Sequence, residues 1–264
     1  MTFQQFLQNP TGPYSSFFGK RENIKLDLEL RFNKLLANAK DKEFPITVQY
    51  VNNGDCYFHI KTPSEQYANI FYDVVIQLTP KMEAAKTEGT FLNYNLLFFS
   101  NSPSFVYTYA FVSRKDKLLI PFLTNKIDNI ALTTPPTVKN PIEIYGFEKS
   151  IYFALLYIKY KNYHVKTALL PAYKTKMLNK AVISSKCKDS KTIMIEYNAE
   201  KKKEQLKKQT EKRQKTTDKI AEQRQRMTDA RDARNAKSKF SSTSVNKVIK
   251  PKKALAPMRA KKKI

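Results

Sequence analysis

The chain has 264 residues, 41% of them hydrophobic, and carries 48 Lys and Arg against 23 Asp and Glu, a formal net charge of +25. That length suits one or two domains with a core of their own. With 2 His, 2 Cys and 5 scattered Gly, it cannot supply an ordinary four-ligand zinc site without carboxylates, nor a glycine-rich phosphate cradle.

Phe3, Phe6 and Leu7 stand at helical spacing before Asn9-Pro10-Thr11-Gly12-Pro13 breaks the chain. Residues 20–40 predict an amphipathic helix: Ile24, Leu28, Phe32, Leu35, Leu36 and Ala39 form one stripe, and Arg21, Lys25, Glu29 and Lys34 lie off it. The period then changes to two. Ile46, Val48 and Tyr50 predict a strand, Asn52-Asn53-Gly54-Asp55 a tight hairpin turn, and Cys56, Phe58 and Ile60 the return strand. Ile70, Tyr72, Val74, Ile76 and Leu78 predict a third strand ended by Pro80, and Leu92, Tyr94, Leu96 and Phe98 a fourth. After a turn at Ser100-Asn101-Ser102-Pro103, Phe105, Tyr107, Tyr109 and Phe111 predict a fifth. Short connections favour antiparallel neighbours, so the expected fold is α+β: an antiparallel sheet of about five strands with helices packed on it. Leu97 and Phe99, then Val106, Ala110 and Val112, place apolar groups on both faces, which calls for cover on each side, from later helices or a neighbouring subunit.

Beyond the sheet, Pro121 suits the first turn of a short helix at 119–127, and 132–141 reads as a rigid extended linker. Residues 143–160 predict a long helix with Phe147, Ile151, Ala154, Leu155 and Ile158 as its stripe. Residues 165–178 read as a short helix or loop around Pro171, and Ile193–Tyr197 as a last strand or a lead-in to the segment that follows.

The composition changes near 195–200. Residues 200–264 hold 23 Lys and Arg against 7 Asp and Glu, a net of +16, whereas the rest of the chain carries +9. After Tyr197 the aromatics are reduced to Phe240. The expected organisation is a globular α+β domain over 1–198 and a long basic arm over 199–264, helical to about 237 and then extended or disordered. Glu204–Lys208, Glu211–Lys215 and Glu222–Arg226 are i,i+4 pairs in the favourable orientation. Leu206, Ile220 and Met227 share a heptad phase that Arg213 interrupts, which argues against a self-sufficient coiled coil. Such an arm seeks a polyanion or an acidic protein surface, and it lacks an apolar face to insert into a membrane. The candidate contact residues are Lys201, Lys202, Lys203, Lys207, Lys208, Lys212, Arg213, Lys215, Lys219, Arg224, Arg226, Arg231, Arg234, Lys252, Lys253, Lys261, Lys262 and Lys263. None of them is set out to read bases, so contact with nucleic acid is expected at phosphate and without sequence preference.

The sequence carries no nucleophile elbow, Walker loop, His-Glu-x-x-His or Cys-x-x-Cys pattern, and the reading is of a protein without catalytic, cofactor or metal residues. A metal-dependent nuclease would need Asp55, Glu65 and Asp73 to converge in space. His59 falls on the strand face opposite Phe58 and Ile60, where a solvated or hydrogen-bonded side chain is expected; Asp73 is either a lone buried acid with a raised pKa or, the favoured reading, exposed on the opposite face, and His164 is expected at the surface. Lys159, Lys161 and Lys166 interleave with Tyr157, Tyr160 and Tyr163. That is either a stacking patch for single-stranded nucleic acid or, the favoured reading, a helix end with tyrosines at the core rim. Cys56 and Cys187 read as two free thiols in a reducing compartment. Met1–Gln8 lacks the features of a signal peptide. The longest apolar run, Ile151–Ile158, falls far short of the ~20 residues of a membrane span. A soluble protein, or one held in an assembly, is expected.

The order of elements (an early amphipathic helix, an antiparallel sheet, a further helix) extends over about residues 1–165. With it go the phrases Asn9-Pro10-Thr11-Gly12-Pro13-Tyr14 and Phe99-Ser100-Asn101-Ser102-Pro103-Ser104-Phe105 and a usage rich in Lys, Asn, Tyr and Phe. In these the chain resembles the small α/β proteins of tailed bacteriophage particles near the head–tail junction. No motif is matched residue by residue, so no functional residue is carried over. The resemblance implies a structural virion protein of the neck, tail or connector complex, assembled with other subunits as a homo-oligomeric ring and carried in the virion after assembly in the host cytoplasm. The basic arm would lie on neighbouring subunits or packaged DNA, with no membrane and no small-molecule substrate. The alternative is a sequence-independent nucleic-acid-binding or ribonucleoprotein component.

Overall fold

The structure, a computed structural model, describes residues 1–8, 24–51, 54–67, 69–83, 86, 88–137, 148–169, 174–175 and 179–241. The chain divides into two units, Met1–Lys203 and Glu204–Ile264. The helices are α1 (Phe3–Gln8), α2 (Ile24–Asn38), α3 (Pro103–Thr108), α4 (Ala110–Lys115), α5 (Asn129–Thr133), α6 (Lys149–Tyr160), α7 (Lys180–Lys186) and α8 (Ser190–Ser241).

The first unit is α+β. Alternating side chains set the register of β1 (Ile46–Val51), β2 (Cys56–Pro63), β3 (Phe71–Thr79) and β4 (Asn95–Ser100), an antiparallel sheet in the order β4-β3-β2-β1. Val48 lies opposite Phe58, Ile60 opposite Val74, and Ile76 opposite Phe98, so the even-numbered residues make one continuous apolar face. The hairpin between β1 and β2 closes with Gly54 N–H donating to the Val51 carbonyl (2.8 Å) and Val51 N–H to that of Asp55 (3.0 Å). Asn52 and Asn53 of the predicted turn lie outside the described residues. A two-residue strand, β5 (Lys174–Thr175), pairs in parallel with Tyr50 and Val51 of β1.

The even face packs under α1, α2 and α6. The predicted stripe of α2 is buried at Leu28, Phe32, Leu35 and Leu36. Phe32 meets Phe44 and Phe153, Phe44 stacks on Tyr157 at 4.8 Å between centroids, and Phe6 of α1 meets Phe98 edge-on at 6.1 Å. Burying each such side chain is worth about 1.5–3 kcal/mol relative to exposure. The odd face is covered by the chain itself. Tyr57 packs on Phe122 in the 3-10 turn Pro121–Lys126 (5.8 Å), and Asn179 N–H at the head of α7 bonds Gln49 Oε1 (2.9 Å). Cover on both sides explains why Cys56 to Ile60 are buried without interruption.

Several expectations need correction. The antiparallel sheet has four strands, because 105–111 falls in two short helices, α3 and α4, that meet at Tyr109. Ser102 accepts a hydrogen bond from Phe105 N–H (3.1 Å) and Pro103 occupies the first helical position, so what read as a turn is the N-cap of α3. Phe105, Val106, Ala110 and Val112 then bury at helical spacing. β4 starts at Asn95 rather than Leu92. The preceding residues turn (Tyr94 N–H to the Phe91 carbonyl, 3.0 Å) so that Phe91 fills the space beside Tyr50 and Phe58. The helix expected at 143–160 begins at Lys149, capped by Glu148, whose carboxylate accepts from Ser150 and Ile151 N–H. Residues 138–147, with part of the predicted linker and Phe147, lie outside the described residues, as does Pro171. Leu132 belongs to α5, and Ile193–Tyr197 is helical, the lead-in rather than a strand.

Candidate nucleic-acid interface

α8 runs for 52 residues without Pro or Gly. From Lys201 to Lys237 every residue is exposed, so no apolar face supports the helix there. Local bonds do. Lys208 pairs with Glu204 (2.5 Å) and Arg226 with Glu222 (2.6 Å), while Gln214 and Gln225 donate to Asp218 (3.0 Å) and Asp229 (2.9 Å), four residues on. Such pairs contribute about 0.2–0.5 kcal/mol each. Thr210, Thr216, Thr217 and Thr228 turn their hydroxyls onto carbonyls one turn back, at 2.9–3.0 Å. The predicted contact residues from Lys201 to Arg234 thus all lie on exposed helix. Lys252, Lys253, Lys261, Lys262 and Lys263 lie outside the described residues.

The opening turns of α8 are fastened within the first unit. Ile193 is fully buried with Ile70 and Tyr72, Tyr67 meets the Tyr197 ring edge-on at 5.1 Å, and Tyr197 Oη donates to Gln66 Oε1 (2.7 Å). Ser190 Oγ accepts from Asp128 N–H (2.9 Å), and Lys126 pairs with Asp189 (3.2 Å).

Behind this attachment lies a buried polar cluster that the sequence did not predict. Asp73 is not at the surface but buried. His59 Nε2 bonds its Oδ1 (2.8 Å), while Asn101 Nδ2 (3.1 Å) and Lys188 N–H (2.9 Å) donate to its Oδ2. Asp73 N–H donates in turn to Asn101 Oδ1 (2.9 Å). Burial pushes this carboxyl upward, but the His59 and Lys188 bonds and the charge of Lys61 outweigh it and hold Asp73 below the ordinary value. A carboxylate only accepts, so His59 carries its proton on Nε2. The missing signal was diagonal pairing. His59 lies opposite Val75 and Asp73 opposite Lys61, so the two side chains share a face one step apart across β2 and β3. Asp73 therefore ties the sheet to the residues immediately before α8.

The other candidates separate. Asp55 accepts from Gln77 Nε2 (3.3 Å), and Glu65 is held by the Arg31 guanidinium (2.6 and 2.7 Å) and by Lys149, so these two and Asp73 are held by three separate sets of partners. Among the described residues no group of three His, Cys, Asp or Glu is placed to hold a metal ion. In the tyrosine–lysine stretch, Tyr157 is buried with its hydroxyl accepting from Phe44 N–H (3.1 Å), and Lys161 pairs with Glu43. Lys166 sits over the Tyr94 ring (4.9 Å) and donates to the Lys86 carbonyl (2.8 Å). These three groups are engaged with the protein, whereas Lys159 and Tyr160 are exposed. His164 is half-buried, not at the surface. Its Nδ1 is enclosed without a hydrogen-bond partner, and burial together with Lys159 lowers its pKa. Cys56 and Cys187 are free and buried, which pushes the Cys187 thiol up to about 12. Among the described residues no helix is long and apolar enough to cross a membrane.

Compared with known protein families, curated proteins and solved structures, the chain matches none.

Proposed function

We propose that this protein is a structural component of a tailed-phage particle, in the neck, tail or connector complex, whose basic C-terminal arm fastens it to packaged DNA. The observation that carries the DNA contact is the run from Lys201 to Lys237, fully exposed, rich in Lys and Arg and without a face to bury. A helix of this kind gains nothing from packing, and what its charge gains is release of the counterions condensed on a polyanion. The virion setting rests on the resemblance of residues 1–165 to neck proteins. In that setting the first unit would make the subunit contacts of a ring, and the arm would lie on DNA or on the adjoining subunit.

The test is fluorescence anisotropy of labelled duplex DNA titrated with the full chain at several salt concentrations, alongside sedimentation of the chain alone. Binding with a slope of about −0.9 in log Kobs against log salt for each phosphate neutralised, together with a closed oligomer, supports the proposal. A flat salt response overturns the DNA contact, and a chain that stays monomeric overturns the ring. Duplex and single-stranded RNA bound as well as DNA transfers the chain to the alternative, a sequence-independent ribonucleoprotein component.

A further inference from the structure

The charges of the second unit's helix are sorted around its axis. Its acidic residues are Glu204, Glu211, Asp218, Glu222, Asp229 and Asp232, separated by steps of 7, 7, 4, 7 and 3 residues. At ~100° per residue these steps confine all six to an arc of roughly 80°. Apart from Lys207, the bases from Glu204 to Lys237 keep to other lines. Lys208, Lys212, Lys215, Lys219, Arg226 and Lys237 follow steps of 4, 3, 4, 7 and 11, which places them within roughly 60°. Arg213, Arg224 and Arg231, at steps of 11 and 7, form a second row roughly 140° from the first. The lane between the two rows holds Gln205, Gln209, Thr216, Ile220, Gln223 and Met227, with Arg234 near its end and no acid among them. All of these side chains are exposed, so the sorting is not a by-product of burial.

Two basic rows flanking a largely neutral lane, with the acids gathered outside them, fit one kind of partner. An acidic protein surface offers a patch, for which one row suffices. Duplex DNA offers two parallel walls of phosphate on either side of a groove. The B-form major groove is about 12 Å wide and admits a helix about 10–12 Å across. Resting on the reading that the arm contacts DNA, we propose that this helix binds duplex DNA by one face, lengthwise in the major groove. The Lys208–Arg226 row lies on one phosphate wall, the Arg213–Arg231 row on the other, and the acidic edge faces solvent. The acidic edge gives the helix its i,i+4 pairs without meeting phosphate.

The test uses the full chain in three variants of three substitutions each: Lys212→Gln, Lys215→Gln, Lys219→Gln in the first row; Arg213→Gln, Arg224→Gln, Arg231→Gln in the second; and Glu211→Gln, Asp218→Asn, Asp229→Asn on the acidic edge. Circular dichroism checks that each keeps its helix. Each row variant is expected to lower the salt slope for duplex DNA by about 3, one for each phosphate that is no longer neutralised, and to weaken binding more than tenfold at low salt. The edge variant keeps the wild-type slope. If neutralising the edge strengthens binding as much as neutralising a row weakens it, net charge alone governs and the one-face proposal is overturned. If only one row matters, the groove placement is overturned. Duplex RNA, whose major groove is too narrow for a helix, should bind without requiring both rows, and equal dependence on both rows there also overturns the groove. A wild-type chain that does not bind duplex DNA at all overturns the underlying reading instead.

Discussion

Asp73 and Glu148 are both buried carboxylates, and burial leaves them on opposite sides of the ordinary range. Asp73 is surrounded by donors and sits below its usual 3.8. Glu148 is pushed above 4.5 by burial, which its bonds from Ser150 and Ile151 only partly offset. The consequences for stability have opposite signs. The Asp73 contribution is full above pH ~4, where the unfolded carboxyl is already ionised, and is lost as pH falls through the lower folded value. The Glu148 contribution is full below its unfolded value and is lost as pH rises through the higher folded one. Asp73→Asn sets an amide against groups that donate. It should cost about 1–3 kcal/mol near neutral pH, the range for leaving buried hydrogen-bonding groups unsatisfied, and flatten the acid side of the stability profile. Glu148→Gln should flatten the side above pH 4.5. Urea midpoints measured between pH 3 and pH 8 check both, and an unchanged acid flank in Asp73→Asn would show that this carboxyl is not ionised in the native state.

Among the elements, α3 shows how two periodicities compete in one segment. Phe105, Tyr107, Tyr109 and Phe111 alternate as a strand would, whereas Phe105, Val106, Tyr109, Ala110 and Val112 recur at helical spacing. The N-cap decides between them, because Ser102 satisfies Phe105 N–H and Pro103 begins a helix without giving up a donor. Ser102→Ala should cost about 1 kcal/mol, whereas Ser102→Asp, which keeps an acceptor, should retain most of it. Thermal denaturation of the two variants separates the cap from the loss of a buried hydroxyl. α6 obeys the same logic through Glu148, and its predicted start fell several residues early because apolar periodicity alone carries no stop at Lys149.

For the whole molecule, the face of the sheet that could be read from sequence was the one built by alternation. Val48, Phe58, Ile60, Val74, Ile76 and Phe98 all bury as their parity predicts. On the opposite face Leu97 and Phe99 called for cover, but the source of that cover could not be read, because it comes from residues distant in the chain: Phe122 over Tyr57, Asn179 at Gln49, Lys188 at Asp73. Asp73 accordingly looked solvated, and the partner of a hydrogen-bonded His59 could not be named. In α8 the exposed, basic helix was legible in the composition, while the sorting of its charges needed a count around the axis. The first unit carries a contiguous core and the described helix of the second carries none, so heating should reveal two processes. Far-UV ellipticity should decline broadly at low temperature as the unsupported helix frays, followed by one cooperative transition seen also in the near-UV. A single transition coincident at both wavelengths would show that the helix gains stability from elsewhere.

The sorted rows also make the C-terminal helix sensitive to insertion in a way that single substitutions do not reveal. Seven or eleven extra residues after Ile220 return the downstream parts of both rows nearly to their original bearing, whereas two extra residues turn them by roughly 200°. The first change lengthens the helix and leaves DNA binding intact. The second keeps composition, net charge and helix content almost unaltered, yet splits each row across opposite sides and should abolish the two-walled grip. Over evolutionary time the lane between the rows could drift in identity, while changes in length would be restricted to steps that restore the bearing of both rows, such as seven or eleven.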